Sequence, residues 1–172
     1  VTDTALMVLN SHYGLEVTTV NQLRYTRDLK KPVIFIVNHL DDEKADFDNV
    51  VSQLKSDYGD KAVIVQYPVN AGPDFNAVVD VLKNKMYRWK PEGGEPEILD
   101  IPDSEKEKAA ELHQKLVEAA AENEESLMKK FFESGSFIED ELRMGSRWGL
   151  VKRARFPIFC VCAKKDMGVR RT

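Results

Sequence analysis

The sequence P-V-I-F-I-V-N-H-L-D at residues 32–41, followed by A-D-F-D-N-V-V-S-Q-L-K at residues 45–55, decides the fold of this 172-residue chain. Residues 33–37 form a short apolar run rich in β-branched side chains, which is typical of a strand buried on both faces of a sheet. Residues 46–58 place Phe47, Val50 and Leu54 on one helical stripe that ends before Gly59. These two segments predict a buried strand followed by a helix.

Three more apolar runs of strand length occur at residues 5–9, 62–67 and 158–162, and each is apolar throughout rather than alternating. Residues 18–29 have the pattern of a helix that ends before Pro32. The order strand, helix, strand, helix, strand predicts an α/β fold with a parallel sheet and right-handed crossovers.

The regular alternation stops after Tyr67. Residues 75–85 are compatible with a helix or a strand, and residues 86–102, with two glycines and three prolines, indicate a loop or hairpin. A capping-box pattern at Ser104 and Glu107 then predicts one long helix to Gly135, and Ser136 with Glu139 predicts the start of a second helix. We therefore expect residues 70–155 to be an insertion, with residues 1–69 and 156–172 forming the α/β domain.

The net charge of −4 is unevenly distributed. Residues 92–141 hold 16 acidic and 5 basic side chains, whereas the remainder holds 20 basic and 13 acidic ones. Such an acidic block indicates either an inserted unit with its own surface or simply a solvated helix face. Two cysteines exclude a disulfide framework, and the absence of an apolar run of 18 residues excludes a membrane-spanning segment, so we expect a cytoplasmic protein.

Polar residues follow two of the predicted strands, where ligands bind in open α/β sheets. Asn38-His39-Leu40-Asp41 follows the second strand, and Ala163-Lys164-Lys165-Asp166 follows the last one. An N-x-x-D sequence alone is also explained by an aspartate that caps the next helix. The two loops together resemble those of guanine-nucleotide-binding proteins, which have N-K-x-D after one strand and an S-A-[KL] type loop after a later one, and this resemblance favours a guanine-binding site.

The chain resembles the elongation factor G family of translational GTPases over nearly its whole length. Residues 32–41 are similar to the family's P-x-I-x-F-V-N-K-x-D, and residues 157–169 to its P-V-x-x-G-S-A-x-x-x-x-G-V ending. The helix at residues 111–130 resembles that of the subdomain inserted in the family's GTPase domain. The resemblance implies a partial P-loop-GTPase-like parallel sheet with helices on both faces, plus an inserted, mainly helical α+β subdomain.

The resemblance also implies a role for each residue of the two loops. Asp41 would accept hydrogen bonds from N1–H and the 2-amino group of guanine, Asn38 would tie the loops together and approach N7, and the Ala163 amide would donate to O6. The remaining residues of the GTP/GDP site would be His39, Cys162 and Lys164.

The phosphate-binding motif G-x-x-x-x-G-K-[ST] does not occur in these 172 residues. The resemblance implies that the phosphate loop, the Mg²⁺ ligands and the catalytic histidine belong to an upstream segment. The chain begins with Val1 rather than Met, and a strand pattern already starts at Ala5. We therefore expect this chain to be a piece of a longer GTPase and to be inactive by itself, with no catalytic residue of its own.

Three positions depart from the family pattern: His39 replaces a lysine, Cys162 a serine and Asn10 an aspartate. An imidazole reaches less far across a purine than a lysine does. The sequence therefore leaves three functions open: an elongation factor acting in translocation, a ribosome-binding regulatory or protection paralogue with little hydrolysis, and an interaction module with an empty nucleotide site.

The resemblance implies the ribosome as partner. The ribosomal stalk protein would dock on an exposed helical stripe, defined here as the acidic stripe, that consists of Glu111, Lys115, Glu118, Glu122 and Glu125. Ribosomal RNA would meet the basic residues Arg153, Arg155, Lys164, Lys165, Arg170 and Arg171, unless these are merely solvated. We also expect self-association through an open edge of the first strand. A metal bound by His12, His39 and Cys162 is disfavoured by their wide spacing.

Overall fold

The structure, a computed structural model, describes residues 2–91, 93–122, 125–134 and 137–171. In chain order its main elements are β1 Ala5–Asn10, α1 Val17–Asp28, β2 Val33–Asn38, α2 Phe47–Tyr58, β3 Ala62–Ile64, β4 Gln66–Pro68, β5 Ala77–Asp80, β6 Lys85–Arg88, β7 Glu97–Leu99, α3 Asp103–Ala121, α4 Glu125–Ser134, α5 Glu139–Val151 and β8 Phe156–Cys160. No helix in the described residues is long and apolar enough to cross a membrane.

The eight strands form two sheets of four. Sheet A has the order β1-β2-β8-β3 and all its pairs are parallel. Sheet B has the order β4-β5-β6-β7 and is antiparallel throughout. The chain therefore completes three strands of sheet A, builds sheet B and three helices, and returns to insert β8 between β2 and β3.

One face of sheet A is completely buried. Met7, Phe35 and Ile158 lie in register on it and are 7%, 0% and 0% exposed. Right-handed crossovers place α1 and α2 on the same face. Tyr58 of α2 packs against Phe35 there and also hydrogen bonds with Arg27 of α1.

The opposite face is covered at one side only. Val63 and Pro157 lie beneath α3 and α5, which confirms helices on both faces of the sheet. At the other side, Leu6 and Val8 of β1 are 61% and 59% exposed. The prediction that residues 5–9 are buried on both faces is therefore wrong for this strand, because it lies at the edge of the sheet.

The predicted strand at residues 62–67 is two strands in two sheets. Val65 separates them: its N–H donates to Ile158 O at 2.9 Å in sheet A, and its carbonyl accepts from the Val81 N–H at 2.9 Å beside sheet B. The apolar run is continuous because both sheets bury it. The predicted strand at residues 158–162 likewise begins two residues earlier, as β8.

The two segments for which the sequence left helix, strand or loop open, residues 75–85 and 86–102, contain three strands. β5 lies in the first segment, β7 lies in the second, and β6 spans the boundary between them. The capping role of Ser104 is wrong: Pro102 is the N-cap of α3, and Ser104 lies inside the helix. The single long helix is two helices, α3 and α4. Gly135 and Ser136 lie outside the described residues, whereas Glu141 accepts a hydrogen bond from the Ile138 N–H at 3.1 Å.

Candidate functional site

The loop after β2 turns sharply at His39, whose φ of 64° lies in the left-handed region. The His39 carbonyl accepts hydrogen bonds from Ser11 Oγ at 2.7 Å and from the Asp42 N–H at 3.1 Å. Ser11 is fully buried at the end of β1. The turn that carries the N-x-x-D sequence is thus anchored to the neighbouring strand of sheet A.

Helix α2 fixes the turn that presents Ser11. Gly14 has a φ of 65°, and a Cβ at this position would lie 2.4 Å from Gln53 Oε1. The same Gln53 oxygen accepts the Leu15 N–H at 2.8 Å. The helix itself is capped by Asp46, whose carboxylate accepts the Asn49 N–H at 2.9 Å. Asp41 is therefore not used as the helix cap.

The loop after β8 closes on itself. The Cys162 N–H donates to Met167 O at 2.9 Å, and the Met167 N–H donates to Cys162 O at 3.1 Å. Gly168 makes the close approach possible, because a Cβ there would lie 2.8 Å from the Cys160 carbonyl oxygen and its φ is 84°. This reversal leaves Ala163 and Lys164 exposed at its tip.

The two loops contact each other directly. The Ala163 N–H donates to Asn38 Oδ1 at 3.0 Å across 125 residues of sequence. The Cys162 thiol is fully buried and hydrogen bonds with the Asp41 carboxylate. Burial, and secondly this bond, raise the pKa of Cys162 above its ordinary value, so the thiol is a neutral donor to Asp41 at neutral pH.

All six residues proposed from the sequence therefore lie at the carboxyl end of sheet A. Asn38 and Ala163 are bonded to each other, and Asp41 is bonded to Cys162. The remaining two, His39 and Lys164, are exposed. The site thus presents the partly exposed Asp41 carboxylate and the Ala163 N–H on adjacent loops. This donor–acceptor pair fits the edge of guanine, which offers N1–H and 2-amino donors beside the O6 acceptor.

In this structure the Ala163 N–H is used by Asn38. A base oxygen at that place would share the amide hydrogen with Asn38 Oδ1 or replace it. A guanine O6 would therefore compete with Asn38 Oδ1 for the Ala163 N–H.

The residues that hold the two loops were not among those predicted from the sequence. Ser11 and Gln53 support the first loop. Gly72 and Pro73, in the loop between β4 and β5, contact both loops: the Gly72 N–H donates to Leu40 O at 2.8 Å, and Lys165 Nζ donates to Pro73 O at 3.3 Å. Gln53, and Gly14 against which it packs, match residues of the family pattern, whereas Ser11, Gly72 and Pro73 have no such signal in the sequence. Within the described residues, no group of three or more His, Cys, Asp or Glu side chains is arranged to hold a metal ion.

The parallel sheet with its two polar loops is the α/β fold of a GTPase domain. The chain matches the family model of the elongation factor Tu GTP binding domain over residues 1–171, and it belongs to this family of translational GTPases. A crystal structure of a protein from Thermus thermophilus superposes with a TM-score of 0.86 at 23% sequence identity, over 98% of this chain. The chain spans 25% of the length of that protein.

Proposed function

We propose that this chain provides the guanine-recognition part of the nucleotide site in a longer translational GTPase. The observation that carries the proposal is the Asn38–Ala163 hydrogen bond, which joins the loops after β2 and β8 where a purine edge has to be read. Asp41 accepts from N1–H and the 2-amino group, and the Ala163 N–H donates to O6. His39 stacks on the base, and Cys162 and Lys164 complete the second loop.

The division into domains is part of this proposal. Residues 1–69 and 156–172 form the GTPase-like part, and residues 70–155 form the inserted subdomain. The path of the chain supports it, since the chain leaves sheet A after Val65 and re-enters it at Phe156. Sheet B begins at Gln66, four residues before the proposed start of the inserted subdomain.

The whole protein, in this proposal, binds GTP with Mg²⁺ through residues outside these 172 and acts in translocation on the ribosome in the cytoplasm. The test is GTP hydrolysis by the full-length protein with and without ribosomes. Strong stimulation by ribosomes is the result expected of an elongation factor. Absence of GDP binding in the full-length protein would contradict the nucleotide site itself. The alternative that would then remain is an interaction module with an empty nucleotide site.

A regulatory or protection paralogue is the second candidate, and His39 and Cys162 favour it. If His39 weakens nucleotide binding, His39→Lys should tighten GDP binding on the order of fivefold, since a cation over an aromatic ring contributes about 1 kcal/mol. Calorimetry with full-length protein measures this. Ribosome binding without hydrolysis, together with such a gain, would support this second candidate over the first.

The acidic stripe is the proposed docking surface for the ribosomal stalk protein. Its five residues are exposed, but Lys115 pairs with Glu111 and Arg155 pairs with Glu122. Glu118, which accepts a hydrogen bond from Gln114, is the residue whose charge the test reverses. Glu118→Lys should weaken stalk binding in pull-down assays while GDP affinity stays unchanged, and equal binding by variant and wild type would exclude this surface.

Contact with ribosomal RNA is proposed for the basic residues on and near the second loop. Two of these residues already have acidic partners, since Arg170 pairs with Glu95 and Arg155 with Glu122. Lys164 is exposed at the loop tip. Lys164→Ala should therefore weaken ribosome binding and reduce its salt dependence. An unchanged salt dependence of ribosome binding would mean that Lys164 does not contact RNA phosphates.

Self-association of the chain is proposed at the edge of β1, which is an outer strand of sheet A. Leu6 and Val8 are exposed beside this edge. Sedimentation over a range of concentrations should show dimers or larger species, because an open apolar strand edge tends to pair with another chain. A monomer at every concentration would contradict this.

A further inference from the structure

We propose that sheet B is a positioning element for guanine recognition, and that Gly93 transmits its position to the second loop. This inference rests on the proposed function, because it concerns the same nucleotide site. Two loops project from one end of sheet B: residues 69–76 between β4 and β5, and the described residues 89–91 and 93–96 between β6 and β7. We call them the sheet B loops. Each of them contacts a loop of the candidate site.

The first sheet B loop holds both site loops. The Gly72 N–H donates to Leu40 O at 2.8 Å, inside the N-x-x-D sequence. The next residue, Pro73, accepts a hydrogen bond from Lys165 Nζ at 3.3 Å. One short segment therefore fixes the distance between Asp41, which follows Leu40, and the loop of Ala163. Hydrogen bonds within the segment, such as Phe75 N–H to Gly72 O at 2.9 Å, keep it rigid.

The second sheet B loop packs on the backbone of the Ala163 loop. Gly93 lies so close that a Cβ built on it would be 2.8 Å from Lys165 O. Next to this contact, Glu95 pairs with Arg170 at 3.1 Å. Both sheet B loops thus contact the Ala163 loop, and we expect its backbone position to depend on them.

The chemical consequence concerns guanine selectivity. A backbone N–H discriminates O6 of guanine from the 6-amino group of adenine only if it points at the base edge within hydrogen-bond distance. Displacing the Ala163 loop by the fraction of an ångström that a Cβ at Gly93 requires would misalign this donor. Contacts to the diphosphate, which lie elsewhere, would be unaffected. The coupling is reciprocal, so bound GDP is expected to stabilise the sheet B loops in turn.

Gly93→Ala and Gly94→Ala form a matched pair for the test. Both glycines have positive φ values, 80° and 95°, so both substitutions impose similar backbone strain. A Cβ at Gly94 meets nothing within 4 Å, whereas a Cβ at Gly93 collides with the Lys165 carbonyl. The difference between the two variants therefore isolates the contact with the Ala163 loop.

The experiment measures GDP and ADP affinity of the full-length protein and amide hydrogen exchange at residues 162–167. We expect Gly93→Ala to weaken GDP binding by about tenfold, within the range of known couplings, while ADP affinity is unchanged. Exchange at residues 162–167 should rise in Gly93→Ala and stay at the wild-type level in Gly94→Ala.

Equal GDP affinity and equal exchange in the two variants would overturn the inference. If the wild type does not bind GDP, the proposed function fails instead. Increased exchange restricted to Gly93→Ala would then still support the positioning role of sheet B, and unchanged exchange would refute it.

Discussion

The two loops of the candidate site differ in what supports them. The loop after β2 is held mainly by its own sheet, through Ser11 of the neighbouring strand and through α2, which begins at Phe47. The loop after β8 is held by a backbone reversal at Gly168 and by sheet B, through Lys165 and Gly93. Sheet B contributes one backbone bond to the first loop, from the Gly72 N–H to Leu40 O. The acceptor side of the site therefore depends mainly on sheet A and α2, whereas the donor side depends more on sheet B.

The most damaging single change is expected at Gly168. Gly168→Ala imposes a positive φ on alanine and places a Cβ 2.8 Å from the carbonyl of Cys160 in the core strand β8. We expect a loss of about 2–4 kcal/mol in the free energy of unfolding. Urea denaturation of the chain measures it, with Gly59→Ala as control, because nothing lies within 4 Å of a Cβ there. Equal losses in the two variants would mean that backbone strain alone, and not the close approach, sets the value.

A smaller effect is expected in the first loop. Ser11→Ala removes the donor to the His39 carbonyl from a fully buried site and should cost about 1–2 kcal/mol. Ser52→Ala is the matched control, because Ser52 is exposed on α2 and its loss should change stability by less than about 0.5 kcal/mol. Similar stability of both variants in urea titrations would show that the Ser11 bond does not support the loop.

A pH-dependent effect is expected where sheet B meets β8. Burial raises the pKa of Asp80 above its ordinary value of 3.8, although the Lys83 N–H donates to its carboxylate at 3.0 Å. A carboxyl with a raised pKa contributes stability that is present below pH 3.8 and is lost as pH rises through the raised pKa.

The amide of the Asp80→Asn variant cannot ionise, so the stability of this variant relative to the wild type should increase from about pH 4 to neutral pH. Chemical denaturation of both proteins across this range measures the difference. A stability difference between the variant and the wild type that is constant, or that falls with rising pH, would contradict a raised pKa for the buried Asp80 carboxyl. Asp74→Asn, at an exposed position in the loop between β4 and β5, is the control.

The smallest effect is expected for the exposed ion pair between the second sheet B loop and the end of the chain. Glu95 and Arg170 are 79% and 72% exposed. Solvent screening leaves such pairs with little energy. Glu95→Gln should therefore leave both stability and GDP affinity unchanged, and a clear loss of GDP affinity would mean that this pair, rather than the Gly93 contact, holds the second loop.

The parts of the fold that follow from local patterns were predictable. The predicted strand at residues 33–37 and the predicted helix at residues 46–58 are confirmed as β2 and α2. The apolar stripe of the helix, which consists of Phe47, Val50, Val51 and Leu54, is the face that is buried. The division at Val65 was not predictable, since it depends on the distant carbonyl of Ile158 and N–H of Val81. The capping role given to Ser104 failed because Pro102, two residues earlier, already starts the helix.

The candidate site shows the same limit. The motifs placed Asn38, Asp41 and Ala163 at one end of the sheet, because the carboxyl ends of parallel strands share an edge. The contacts that position them involve Gly72 and Gly93, which lie in the sheet B loops and have no periodic or motif signal. Such contacts follow from tertiary structure alone.

The central claim is that Asp41 reads guanine, and the most direct measurement is a change of base preference by Asp41→Asn in the full-length protein. An amide in place of the carboxylate offers a donor to the 2-carbonyl of xanthine and loses an acceptor for the 2-amino group of guanine. We predict that the variant binds GDP at least about tenfold more weakly, and xanthosine diphosphate (XDP) more tightly, than the wild type does. Unchanged affinity for GDP and no gain for XDP would contradict it.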